Sequence, residues 1–387
     1  MGGRLCAGAW QACAVKLALV LPGGVDRSGE FRVIPTFLAL IERLARRHEV
    51  HVFVLHQEAR AGRWELASAH IHNIGEGCTR LRAIAAIRAE HQRAPFDLVQ
   101  AMFSGSCSLI AVAAAKLLRL PSVVHIAGGE LVALHDIGYG GRRKWKGRVR
   151  EALVLRCADA ISAASMPIID SLRALGLDAV RVLLGVDLAK WPALAPRRRK
   201  SACARLIHVA SINRVKDQAT LLRALSLLAQ EGVDFTLDLV GVDTLQGELK
   251  VLARTLGLQQ HVRFLGFKTQ RELRPLMQAA DLLVMSSRHE AGPLVLLEAA
   301  VVGVPTVGTA VGHIAEWSPS AALAVPVGDA EELAEAIRRV LDDEPLRLHL
   351  AAQAQRRALL EDADCTARMF ECLYRQLCRD AIAAMHS

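Results

Sequence analysis

Aromatic side chains are scarce: the 387 residues hold 9 Phe, 5 Trp and 2 Tyr, 4% of the chain. No aromatic-rich strand flanks the basic runs, which argues against single-stranded nucleic acid as a partner. Nor is there a C-x-x-C pair or a Cys/His cluster of zinc-ligand spacing. The 9 cysteines are odd in number and scattered, so reduced thiols are expected rather than a disulfide framework. Neither G-x-G-x-x-G nor a G-K-[ST] loop occurs, so the dinucleotide fingerprint and the Walker A loop are absent. Long apolar runs are also missing. The longest nearly uncharged stretch, Ala291–Gly312, contains two prolines, four glycines and Glu298, and reads as a buried helix followed by a buried strand. Around Arg4 the N-terminal residues lack the apolar core of a secretory signal, so a cytoplasmic location is expected.

What is present is a repeating grammar. Short runs rich in Val, Ile and Leu alternate with segments of helical period, the pattern of a parallel sheet with crossover helices. The first half predicts strands at 15–21, 49–56, 97–103, 122–126, 158–163 and 180–184. The second half restarts with strands at 206–210, 236–240, 262–267, 281–285 and 306–309. Between them Trp191-Pro192, Pro196 and the run Arg197–Lys200 break the pattern. An α/β protein of two Rossmann-like, doubly wound lobes facing a central cleft follows, with ligands expected at the carboxyl ends of the strands. The expected division is an N-terminal lobe over residues 1–187, a linker over 188–203, a second lobe over 204–362, and a C-terminal helix over 363–387.

Charge is distributed unevenly. Residues 1–195 carry 25 Lys/Arg against 16 Asp/Glu, whereas residues 196–387 carry 23 of each, so the net +9 lies in the first half. An anionic partner docking there is one reading and a solvated basic face the other. Arg142, Arg143, Lys144, Lys146, Arg148 and Arg150 surround Trp145, Val149 and Leu153, which recur every four residues as on a helix lying at a membrane surface or on an ordinary domain helix with a solvated basic face.

Two glycine-containing turns stand out. The first predicted strand runs into Gly23-Gly24, where backbone amides can approach a phosphate. The second turn, His289-Glu290-Ala291-Gly292-Pro293-Leu294-Val295, leads into a helix carrying Glu298 among apolar residues. Pro293 suits the helix start, and the amides beside it can face an anion. A carboxylate inside such a run needs partners, either a neighbouring Arg or a ligand.

Glu290 and Glu298, separated by seven residues, then Gly303-Val304-Pro305 and Gly308 to Gly312, resemble the E-x7-E segment of the GT-B-fold glycosyltransferases of family 4, the group 1 transferases. The Gly23-Gly24 loop, Gly185-Val186-Asp187, Lys216-Asp217 and Val327-Gly328-Asp329 fall in the same family's order. The resemblance implies that Glu290 and the amides of the segment Gly292-Pro293-Leu294-Val295 face the sugar and its β-phosphate. It further implies that Glu298 accepts hydrogen bonds from the nucleotide ribose and Lys216 neutralises the diphosphate. It also implies a nucleotide-sugar donor, a glycan, lipid-linked or small-molecule acceptor, retention of anomeric configuration, and no essential metal. The N-terminal lobe is then the acceptor side, the second lobe the donor side, and the C-terminal helix returns to the first lobe.

Two positions depart from the family pattern. Ser211 stands where relatives place an Arg five residues before the Lys, with Arg214 nearby as a substitute. Ala127 stands where many relatives place a His; His125, two residues earlier, is the candidate on the same strand face, with a core histidine as the alternative. Glu130 and Asp136, in the following glycine-rich loop, are candidates for an acceptor hydroxyl or ordinary solvated acids. A nucleotide-sugar epimerase of the same fold and a silent sugar-binding protein remain as other readings.

Overall fold

An apolar run without polar alternation marks a strand covered on both faces, and the segment Leu17–Leu21 shows it: every residue of the strand it belongs to is buried. The computed structural model describes residues 14–385; Arg4, Cys6, Cys13 and the leader-peptide expectation lie outside them. Fourteen strands form two sheets among the described residues. The first comprises β1 (Lys16–Leu21), β2 (Glu49–Val54), β3 (Gly62–Leu66), β4 (Ala69–Asn73), β5 (Leu98–Met102), β6 (Ser122–Ile126), β7 (Ala160–Ala163) and β8 (Val180–Arg181). The second comprises β9 (Ala204–Val209), β10 (Phe235–Val240), β11 (Val262–Gly266), β12 (Leu282–Met285), β13 (Thr306–Thr309) and β14 (Leu323–Val325).

Strand order is β3-β4-β2-β1-β5-β6-β7-β8 in the first sheet and β11-β10-β9-β12-β13-β14 in the second. All pairs are parallel except β3 with β4. The direction of winding across each sheet reverses between β1 and β5 and between β9 and β12. These are the switch points at which loops splay apart and leave a crevice. The predicted strands are all present. The β3–β4 hairpin and β14 were not anticipated: β3 carries Arg63 and Glu65 on an exposed edge, and β4 alternates histidines with apolar residues, so neither reads as an apolar run.

The two lobes are joined twice. The chain leaves the first lobe past Gly185 and comes back past Asp362, and the two crossing segments meet backbone to backbone. A Cβ on Gly185 would lie 2.2 Å from the carbonyl carbon of Asp362, so no other residue fits. Thr366 Oγ1 locks the crossing by donating to Leu183 O at 2.7 Å while accepting from Gly185 N at 2.9 Å. Arg43 adds ion pairs to Asp187 at 2.9 Å and Asp364 at 2.8 Å. From there the helix Ala363–Met385 runs onto the first lobe, burying Ala367, Phe370 and Tyr374 in its core.

The returning helix contributes packing that the first lobe cannot supply itself. Phe370 is fully buried and its ring meets His125 edge-on at 5.3 Å. Replacing such a ring with a methyl leaves a cavity, and Phe370→Ala is expected to cost about 3–5 kcal/mol. Urea unfolding checks this; a loss below about 1 kcal/mol would contradict the docking of this helix.

Candidate active site

The loops leaving β9 and β12 build the centre of the site. After β9, Asn213 Oδ1 accepts from the amides of Val215 at 3.1 Å and Lys216 at 3.0 Å, an Asx turn that fixes where Lys216 emerges. Asp217 then caps the helix Gln218–Gln230, accepting from Thr220 N. After β12, Ser286 Oγ donates to Lys216 O at 2.9 Å, tying the two loops together. Lys216 Nζ reaches Glu290 Oε1 at 2.5 Å, and Ser287 Oγ donates to the same oxygen at 2.6 Å. A half-buried ammonium is thereby held over a buried carboxylate at the switch point of the second sheet.

The helix Leu294–Val301 begins at Pro293 without a side-chain cap, so its first amides have no partner within the helix. Gly292 lies where this loop passes the first lobe: a Cβ there would meet the His313 ring at 2.8 Å and Ala164 Cβ at 3.3 Å. One turn into the helix Glu298 is 2% exposed, with Oε1 unpartnered among the described residues. Burial pushes this carboxyl up to about 7, opposed by a hydrogen bond with Gln270. It lines a narrow crevice with Pro35, Thr36, Val186 and Trp191, where the lobes join. A buried carboxylate with an empty acceptor lobe is costly unless a ligand supplies donors.

Of the other predicted residues, Arg214 is exposed on the Lys216 loop and Ser211 is exposed at its start. Two expectations are corrected, and two candidate acids already have partners. Gly24 N and Val25 N donate to Gln57 Oε1 at 2.8 and 3.1 Å, so the Gly23-Gly24 turn spends these amides on a side chain instead of a phosphate. His125 is fully buried behind the sheet, bonded through Nδ1 to Ser162 Oγ at 3.0 Å and covered by Phe370; burial lowers it to about 3, and it is a core histidine. Glu130 accepts from Ser104 N at 3.1 Å and Gly128 N at 2.7 Å, committing both oxygens to loop backbone. Asp136 pairs with Arg288 at 2.5 Å across the cleft, a contact between lobes.

Three residues of the site were not anticipated. His289, next to Glu290, bonds through Nε2 to Gly128 O at 3.3 Å in the opposite lobe. Asn213 and Glu151 are the others. Glu151 lines a cavity of about 480 Å³ with Glu130, Tyr139 and Arg150, and burial pushes its carboxyl up to about 7. Its signal in the sequence is that it is the one acid among the basic residues from Arg142 to Arg156.

Residues 33–184 match the "Glycosyl transferase 4-like domain" model and residues 197–357 the "Glycosyl transferases group 1" model. A glycogen synthase of Mycobacterium tuberculosis is 31% identical over 260 residues, 66% of this chain and 62% of that protein. A D-inositol 3-phosphate glycosyltransferase of Corynebacterium aurimucosum is 32% identical over 154 residues, 38% of this chain and 37% of that protein. The matched region thus spans about three fifths or less of these curated relatives. Among solved structures, sucrose-phosphate synthase from Thermosynechococcus elongatus aligns with a TM-score of 0.78 at 20% identity, covering 94% of this chain and 99% of that one. Anabaena HepE in complex with UDP-glucose aligns with a TM-score of 0.70 at 19% identity, covering 93% and 100%. The chain belongs to the group 1 glycosyltransferases and has their GT-B fold.

The raised Glu298 carboxyl generates a pH prediction. Its folded value of about 7 exceeds the ordinary 4.5, so ionisation opposes folding, and this penalty grows as pH rises from about 4.5 through 7. Glu298→Gln is expected to raise Tm over the parent at pH 8.5 and to change it little at pH 4.5. A difference in Tm that is flat across this range would contradict the assignment.

Proposed function

We propose that the chain is a nucleotide-sugar-dependent transferase that moves a sugar, with retention of configuration, onto a hydroxyl of a glycan, lipid-linked or small-molecule acceptor. The observation that carries this reading is the Lys216 ammonium fixed 2.5 Å from Glu290 in front of an uncapped helix start, with the unpartnered Glu298 carboxylate one turn further on. As the bond between sugar and diphosphate breaks, negative charge gathers on the departing phosphate. A positioned ammonium and free helix amides stabilise that charge without reorganising. Lys216 exchanges its bond to Glu290 for the diphosphate, releasing the Glu290 carboxylate toward the sugar. Arg214, exposed on the same loop, adds a second cation, and Glu298 accepts from the ribose hydroxyls. In this reading no divalent cation is needed at the diphosphate, because protein charges do its work. Support for a nucleotide donor comes from HepE, a protein of the same fold, in complex with UDP-glucose.

The variants separate binding from chemistry. Glu298→Ala is expected to weaken nucleotide binding more than Glu290→Ala, because a ribose clamp acts on ground and transition states alike. Lys216→Met and Glu290→Ala are expected to lower turnover by about 100-fold or more, with a smaller loss for Arg214→Ala. Titration of UDP, GDP and ADP sugars by calorimetry with product analysis checks this. Parental affinity in Glu298→Ala together with parental turnover in Lys216→Met would overturn the reading, and release of free sugar without transfer would favour an epimerase.

The acceptor side is read from charge. Trp145, Val149 and Leu153 are 62%, 59% and 63% exposed along the helix Trp145–Cys157, flanked by exposed Arg143, Lys144, Lys146, Arg148 and Arg150. This stripe has no cover among the described residues, and it borders the cavity that holds Glu151. It suits peripheral contact with an anionic membrane that presents a lipid-linked acceptor, at about 1 kcal/mol for each basic residue. Among the described residues no helix is long and apolar enough to cross a membrane. Vesicle co-sedimentation is expected to rise with anionic lipid, fall at high salt, and drop when Arg142, Arg143, Lys144 and Lys146 become Gln. Equal recovery with neutral and anionic vesicles would contradict it.

A further inference from the structure

At the other end of the first sheet, away from the cleft, lies a histidine cluster that the transfer chemistry does not use. β2 and β4 pair in parallel with His51 opposite His70 and Phe53 opposite His72, so all four side chains share one sheet face. The helix Thr79–Arg93 packs on that face and brings Glu90 beside the rings. His51, His72 and Glu90 each offer a donor atom, all within 4.8 Å of one another. His51 Nδ1 and His72 Nε2 stand 3.0 Å apart. Bonds of about 2.0–2.1 Å to a tetrahedral zinc would set two donors roughly 3.3 Å apart, so little movement is required.

We propose that His51, His72 and Glu90 form a binding site for a zinc-class divalent transition metal that fastens β2, β4 and the overlying helix together. The surroundings fit such an ion. His51 Nε2 bonds to Glu49 Oε1 at 2.8 Å, the carboxylate–histidine arrangement that orients metal-ligating rings, and Lys16 holds Glu49 at 2.9 Å. Both histidines are nearly buried, at 4% and 6% exposure, so their ring nitrogens are shielded from bulk water. A cavity of about 410 Å³ lined by Arg63, Trp64 and His70 opens onto the cluster, giving entry and room for a water as fourth ligand. Glu90 now pairs with Arg93 at 3.2 Å and lies 3.9 Å from Lys16, contacts that the ion would displace. Because the site lies on the β4-β2 side of the first sheet, in a different lobe from Lys216 and Glu290, its role is to stabilise that lobe, and it is separate from the diphosphate site.

The full-length chain, stripped with chelator and dialysed against ZnCl2, is expected to retain one ion per chain by elemental analysis. With Co2+ it is expected to show the visible absorption of a low-coordinate nitrogen and oxygen site. Zinc should raise Tm by several degrees, as any ligand selective for the folded state does. His51→Gln and His72→Gln should weaken binding by about 100-fold, and Glu49→Gln by about 10-fold or more. Glu90→Gln alters a partly exposed helix residue and so keeps the fold; zinc should no longer raise its Tm as it does that of the parent. His349→Gln, exposed on the other lobe, should match the parent. Substoichiometric zinc in the parent, or binding equal in the parent, His72→Gln and Glu90→Gln, would overturn the proposal.

Discussion

One ion pair organises the second lobe's site: the Lys216 ammonium held by a Glu290 oxygen that also accepts from Ser287. Both partners come from loops that leave neighbouring strands, β9 and β12, where the direction of chain winding reverses. No other place in a parallel sheet lets two loops diverge and still face one ligand. The supports around the pair are equally specific. Asn213 shapes the Lys216 loop, Ser286 ties that loop to the next, and buried His208 bonds Val284 O beneath them at 2.9 Å. A cation held this way has lost its rotamer freedom before any phosphate arrives, and that is the condition for stabilising a leaving group cheaply.

The first lobe is held opposite the second at two places. The Gly185 crossing and the Arg43 ion pairs fix the join at one side, while Arg288–Asp136 and His289–Gly128 connect the lobes across the cleft. The latter contacts belong to the segment that carries Glu290. The contacts between the lobes and the Lys216–Glu290 pair are therefore linked through adjacent residues. Glu298 sits at the base of the join, where its burial depends on both lobes.

Fold class was legible because buried parallel strands leave apolar runs that local composition reveals, as at Leu98–Met102 and Leu282–Met285. The hairpin at 62–73 was hidden because its stability comes from pairing at a sheet edge and from histidines that bond one another. In the site, the family resemblance singled out Glu290, Glu298 and Lys216, which the structure places at one end of the second lobe. It could not show which polar groups were already occupied. Gln57 takes the amides of the glycine turn from 33 positions away, Arg288 takes Asp136 from 152 away, and Phe370 covers His125 from the far end of the chain. Side-chain direction and partnership depend on tertiary contacts of this kind, and no local motif records them.

In the proposed reaction Lys216 leaves Glu290 for a diphosphate while Glu298 receives a ribose. A crystal structure of the chain with a nucleoside diphosphate tests both halves at once. Phosphate oxygens are expected within about 3 Å of Lys216 Nζ and of the amides at the start of the helix Leu294–Val301, with ribose hydroxyls on Glu298. A nucleotide bound elsewhere, with the Lys216–Glu290 pair intact and Glu298 still unpartnered, would contradict it.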